Sequence, residues 1–257
     1  MRDRKLPSFL TFLFLPALFF LVFSACVFFN NRSFRQFTGQ IFRSELAGNT
    51  LNLHYTLKHP ENYGISEAPV TLGSAEPEVL EASGLVLENY QEVLRRFPYQ
   101  TLSKTNRLTY DILQLYLQNQ LSGQKFALYA EPLGPTIGTQ AQLPVLLAEY
   151  AFRNKADIET YLTLLTEMDE YYSTLVHFEE AKSREGLFMS ASAAQAVIDQ
   201  CNAFIREPSK NFLITVFAEK IEEADFLTQV EKKHFLEQNE KAVLEHVIPA
   251  YQFLIRG

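Results

Sequence analysis

An all-α fold, a multi-helix array of packed antiparallel helices behind an N-terminal transmembrane or signal helix, is predicted by three observations. Apolar residues recur at intervals of three and four along most of the chain. Turn-forming residues cluster between these periodic stretches, and no credible set of alternating strands is written anywhere. With 257 residues, 47% of them hydrophobic, the chain is long enough to bury a core. Its net charge of −7 is spread along the helices and no basic stripe interleaved with aromatics occurs, so nucleic acid is excluded as a partner class.

Residues 1–8 carry Arg2, Arg4 and Lys5 and read as a basic N-terminus left in the cytoplasm. Residues 9–29 follow without a charge; as a helix these 21 residues would span about 31 Å, the thickness of a bilayer's hydrocarbon core. Three fates are open to the segment. It is an uncleaved anchor, a cleaved secretory signal, or a lipoprotein signal in which Ser24-Ala25 precede an acylated Cys26. Phe23 stands where a lipobox usually has Leu, and Val27-Phe28-Phe29 prolong the apolar run. Each fate puts residues 33–257, read as one helical domain, at the outer side of the cell membrane with the lipid bilayer as a partner. The second cysteine, Cys201, shares a helical face with Val197, Ile198, Phe204 and Ile205 and reads as a core residue.

Phe34, Phe37, Ile41, Phe42 and Leu46 place a helix over residues 33–46, stopped by Gly48-Asn49. Residues 52–64 are rich in turn formers and read as irregular, with His54, Tyr55 and Tyr63 as candidates to line a substrate cleft. His54 and His59 do not have the spacing of a helical metal pair. Pro77 opens a helix that runs towards Phe97-Pro98, and Leu108, Ile112, Leu113, Leu115 and Leu117 define its antiparallel neighbour. Residues 122–139 have no helical period and read as a long loop. An αα-hairpin then occupies the middle of the chain: Leu143, Leu146, Leu147 and Tyr150 on one arm, a polar hinge of Arg153-Asn154-Lys155, and Ile158, Tyr161, Leu162 and Leu165 on the other. The second arm is expected to continue through Lys182 and to end at Gly186. Ser190 or Ser192 caps the next helix, Glu207-Pro208-Ser209 separates it from one carrying Leu213, Phe217 and Ile221, and Thr228-Gln229-Val230-Glu231 has the spacing of a capping box opening a final helix kinked at Pro249.

No catalytic, cofactor-binding or metal residue is assigned. Nucleophilic catalysis needs a Ser elbow or a Cys beside a base, and a zinc-protease helix needs His-Glu-x-x-His; neither pattern is present. His177 with Glu180 and His234 with Glu237 have helical spacing but read as solvated faces.

Five motifs in register carry a resemblance. They are Phe37-Thr38-Gly39-Gln40-Ile41-Phe42-Arg43, Leu53-His54-Tyr55-Thr56-Leu57 followed by Pro60 and Tyr63-Gly64-Ile65, Leu143-Pro144-Val145-Leu146-Leu147-Ala148-Glu149-Tyr150, Gly186-Leu187-Phe188-Met189-Ser190, and Ile248-Pro249-Ala250-Tyr251. In this order the chain resembles the N-terminal half of bacterial proteins carrying the domain of unknown function 885, particularly membrane-attached or lipoprotein members of clostridia. The resemblance implies a chain truncated relative to a gluzincin-like zinc peptidase, with zinc belonging only to full-length relatives. It also implies a scaffold forming one wall of a substrate channel, with a C-terminal half-protein and peptides as partners. Two other readings stay open: a subunit of a peptidase whose His-Glu-x-x-His half is encoded separately, and a stand-alone peptide-binding module. A half-molecule is expected to leave an apolar face bare, along Val243, Val247, Tyr251 and Leu254.

Overall fold

The computed structural model describes residues 8–257, with side chains described from Leu18 onward except Phe19. Among these residues there are eleven α-helices and no strand: α1 Ser8–Ala47, α2 Thr50–Thr56, α3 Pro77–Arg95, α4 Lys104–Gly123, α5 Thr139–Glu149, α6 Lys155–Thr166, α7 Met168–Arg184, α8 Ala191–Phe204, α9 Phe212–Glu223, α10 Gln229–Ala242 and α11 Ile248–Arg256. They group into two compact units, one of residues up to Phe42 with Gly84–Ser122, the other of Arg43–Ser83 with Gly123–Gly257.

In the smaller unit the expected antiparallel pair is formed by α3 and α4, joined through Phe97-Pro98 and a short 3₁₀ turn, Tyr99–Thr101. Phe34 is fully buried with Leu94, Leu102 and Leu117, and its ring meets Phe97 edge-on at 5.2 Å. Asn31 staples α1 to the turn. Its amide donates to Thr101 O at 2.8 Å, while its carbonyl oxygen accepts from Ser103 N–H at 2.7 Å and from Asn106 Nδ2 at 2.8 Å. Helix 33–46 is thus the end of a longer helix: the polar Asn30-Asn31-Arg32 does not break α1, because side chains satisfied elsewhere do not compete for its backbone.

The span expected over residues 9–29 lies partly outside the described side chains. Among the described residues no helix is long and apolar enough to cross a membrane. Leu18, Phe20, Leu21, Val22, Phe23, Phe28 and Phe29 are all exposed on α1.

The larger unit has the central hairpin as its middle. Leu143, Leu147, Tyr150, Ile158, Tyr161 and Leu165 are buried, joined by Met168, Tyr172 and Leu175 of α7 and Phe217 of α9. Chain 155–184 passes from α6 to α7 through Glu167 alone, with the helical hydrogen bonds from Glu167 N–H to Thr163 O and from Tyr171 N–H to Glu167 O kept. Gly186 takes φ +71° after α7, where Leu187 N–H closes on Lys182 O, a left-handed cap that glycine adopts at least cost. Ser190 caps α8, and Thr228 with Glu231 forms the reciprocal capping box of α10.

Three expectations are corrected. Residues 50–56 are helical, because Asn49 stops one helix and caps the next: its Oδ1 accepts from Asn52 N–H at 2.9 Å and its Nδ2 donates to Leu72 O at 2.7 Å. Residues 124–129 form a 3₁₀ helix rather than open loop. Val243, Val247, Tyr251 and Leu254 are buried, not bare; this face packs on α7 and α8, with the Tyr251 ring 5.0 Å from Tyr172 and 4.5 Å from Phe204. Pro249 acts one turn earlier than a simple kink would. Lacking an N–H for Glu245 O and crowding it, the proline is preceded by a π turn, Val243–Val247, where Ile248 N–H reaches back to Val243 O.

Candidate functional site

The short helix α2 separates two hollows of the larger unit. On one side lies an apolar groove of ≈ 430 Å³ lined by Leu51, Tyr55, Leu72, Ile137, Leu143 and Leu146 among others. On the other lies a more polar cleft of ≈ 640 Å³, walled by Leu53, His54 and Leu57 of α2, the segment through Lys58, Glu61 and Val70, and Tyr150, Arg153 and Asp157 beside α6. Neighbouring residues of one helix point to opposite sides, so His54 and Tyr55 serve different hollows. Tyr63 sits on the 3₁₀ turn Pro60–Tyr63 and lines neither of them.

Both α2 side chains grip the end of α5, whose last carbonyls lack helical donors. The Tyr55 hydroxyl donates to Leu146 O at 2.5 Å. Tyr150 N–H closes on Leu147 O, and the Lys220 ammonium donates to Ala148 O and, at 2.9 Å, to Tyr150 O. A cation at this position also complements the negative end of the helix. Burial holds the Lys220 ammonium below its ordinary pKa and, with Glu149 nearby, raises the Tyr55 phenol.

His54 is 7% exposed and its ring stacks on Tyr150 at 3.6 Å between centroids. Its Nε2 accepts from Ala151 N–H at 3.1 Å. Burial, then the charge of Arg153, lowers its pKa to about 4, so the ring is neutral at pH 7. For a base held below its unfolded pKa, the folded state binds fewer protons. Its contribution is therefore complete above about pH 6.5 and is lost as pH falls towards 4. His54→Phe, which keeps the ring but cannot titrate, is expected to be less stable than the wild type at pH 7, with a gap that shrinks by about 3 kcal/mol by pH 4. Urea unfolding at both pH values measures it; a constant gap would show that His54 does not titrate in this range.

Two residues that matter here, Arg153 and Lys220, were absent from the sequence candidates for a role at the cleft. Lys220 carried a signal, a lysine on the apolar stripe of Val216, Phe217 and Ile221. The other histidines bind across the fold rather than along their helices. His177 Nδ1 lies 2.6 Å from Glu76, and His246 Nδ1 lies 2.5 Å from Asp169. Among the described residues no three His, Cys, Asp or Glu side chains converge as metal ligands would. Cys26 is exposed on α1, while Cys201 is buried, its thiol pushed up to about 12.

The family described as "Bacterial protein of unknown function (DUF885)" matches residues 63–256. This range contains Tyr63-Gly64-Ile65 and the three later motifs; those at Phe37 and Leu53 lie before it. No curated protein matches the chain. The crystal structure of "the putative lipoprotein from Colwellia psychrerythraea" superposes with a TM-score of 0.76 at 16% identity, over 88% of this chain and 40% of that one. The helical array therefore spans about two-fifths of that protein's length and shares its fold. With the family match extending over most of its residues, this chain belongs to the bacterial DUF885 family.

Proposed function

We propose that the chain is a membrane-anchored, extracytoplasmic helical scaffold without a catalytic site of its own, corresponding to the N-terminal half of a zinc-metallopeptidase-like protein. The observation that carries this reading is the asymmetry of the structural match, 88% of this chain against 40% of a longer one. A part of a larger molecule with no His-Glu-x-x-His helix positions and encloses rather than reacts. Zinc, peptides and a C-terminal half would then belong to the assembled molecule. The anchor is supported by residues 9–29 in the sequence and by the bare apolar side chains between Leu18 and Phe29, which lipid would cover.

A second reading is supported by exposed Cys26 and by the description of the Colwellia protein as a lipoprotein. Here the thiol carries the lipid and residues before it are removed. The native protein is expected to stay in the membrane pellet after alkaline carbonate washing, with an intact mass that includes residues 1–25. Phe20→Asp, near the middle of the span, adds about 3 kcal/mol to insertion and should shift the chain to the soluble fraction. A mass lacking residues 1–25 and carrying acyl chains would replace the anchor by the lipoprotein reading, and full release by carbonate would remove both.

A further inference from the structure

We propose that the polar cleft beside α2 is a binding site for the carboxylate of a peptide, held between the guanidinium of Arg153 and the Nδ1–H of His54.

The argument starts from a contact that cannot be a hydrogen bond as it stands. Arg153 Nη1 lies 3.4 Å from His54 Nδ1. The backbone N–H of Ala151 can only donate, so Nε2 of His54 must be the acceptor. A neutral ring then carries its proton on Nδ1, and a guanidinium has donors only. Two donors therefore face each other with no acceptor between them. The second guanidinium nitrogen reaches His54 O at 3.5 Å, the outer limit of a hydrogen bond.

Nothing else in the site answers these donors. Among the described residues Arg153 forms no ion pair; Asp157, the nearest acid on α6, accepts from the backbone N–H of Arg153 at 2.8 Å instead. Glu61 lies 3.1 Å from His59. His54 is more than nine-tenths buried, so its free donor faces the cleft rather than bulk water. Lys58 lines the same cleft and adds positive charge. A carboxylate offers two acceptor oxygens on one planar group, which suits one guanidinium and one ring N–H together.

The size of the cleft selects the rest of the ligand. At ≈ 640 Å³ it is far larger than an inorganic oxyanion, and Leu53, Leu57, Ile65, Pro69 and Val70 give its remainder an apolar wall for side chains. Capture of a terminal carboxylate by converging donors is a known mode of peptide recognition. Nothing in the site depends on how the chain is anchored.

The test is calorimetric titration of the full chain, in non-ionic detergent, with N-acetyl-alanyl-leucine, with its C-terminal amide and with inorganic phosphate. The free acid is expected to bind, and the amide to bind roughly tenfold or more weakly, the factor that follows from losing a charge-assisted hydrogen bond. Arg153→Gln, at an exposed position with its backbone bond to Asp157 unchanged, should lose binding by a similar factor while unfolding at the same urea concentration. His54→Phe should lose it as well. Equal binding of acid and amide, unchanged affinity in Arg153→Gln, or binding of phosphate alone would each overturn the assignment.

Discussion

Tyr251→Phe is expected to destabilise the chain by about 1–3 kcal/mol, although it removes a single oxygen. The reason lies in α5. Pro144 sits inside that helix and has no N–H, so Gln140 O has no donor four residues on. The Tyr251 hydroxyl supplies it, at 2.5 Å, from a side chain with no exposed surface. Removing the hydroxyl strands a buried carbonyl. Tyr251→Ala, which also vacates the space between Tyr172 and Phe204, should cost about 3–5 kcal/mol. The argument makes a sharper demand of a pair: with Pro144→Ala in place, a backbone N–H can reach Gln140 O, and the further cost of Tyr251→Phe should fall by about 1 kcal/mol or more. Urea unfolding of the four proteins measures this coupling. Strict additivity would mean that the hydroxyl and the proline are unrelated.

A larger loss is expected from Lys182→Met, about 3–5 kcal/mol at pH 8. Lys182 has no exposed surface; its ammonium donates to Ala130 O at 2.9 Å and lies 3.1 Å from Glu131 and 3.6 Å from Glu179. Glu179 is buried too, and neither of its carboxylate oxygens has a hydrogen-bond donor. Burial raises its pKa, and the charge of Lys182 opposes that rise. Without the ammonium the carboxyl is pushed higher still. An acid held above its unfolded value, about 4.3, is bound to more protons when folded. The penalty in Lys182→Met should therefore be small near that value and grow as pH rises through the folded pKa. Comparing urea midpoints at pH 5 and pH 8 reads the effect, and Lys182→Met with Glu179→Leu should recover most of the loss. Equal losses at the two pH values, or no recovery in the double variant, would show that Glu179 is not the group left uncompensated.

Most of the helices were legible because their apolar residues repeat over ten residues or more and their ends carry the expected caps, as at Ser190, Gly186 and Thr228. The misses have local causes. α2 is seven residues long, too short for a period to show, and Asn49 looked like a stop because it also is one. The join within α1 was hidden by three polar residues whose partners lie about seventy residues away. The face of Val243, Val247, Tyr251 and Leu254 was correctly periodic; its exposure was inferred from the resemblance to a longer protein, and packing decided otherwise. At the cleft, His54 and Tyr55 stood out as unusual residues in a turn-rich stretch. Arg153 did not, since its importance comes from a histidine 99 positions earlier that only the fold brings near.

The wide turn at Val243–Val247 also sets the tolerance of this region to changes in length. A π turn accommodates one residue more than an α-helical turn at the same place. Loss of a single codon here would let the ladder close as ordinary α-helix, yet it would swing everything beyond by about 100° around the axis. Tyr251 would leave Gln140, and Leu254 would face water. Point substitutions can be absorbed in this stretch, whereas the number of residues cannot drift.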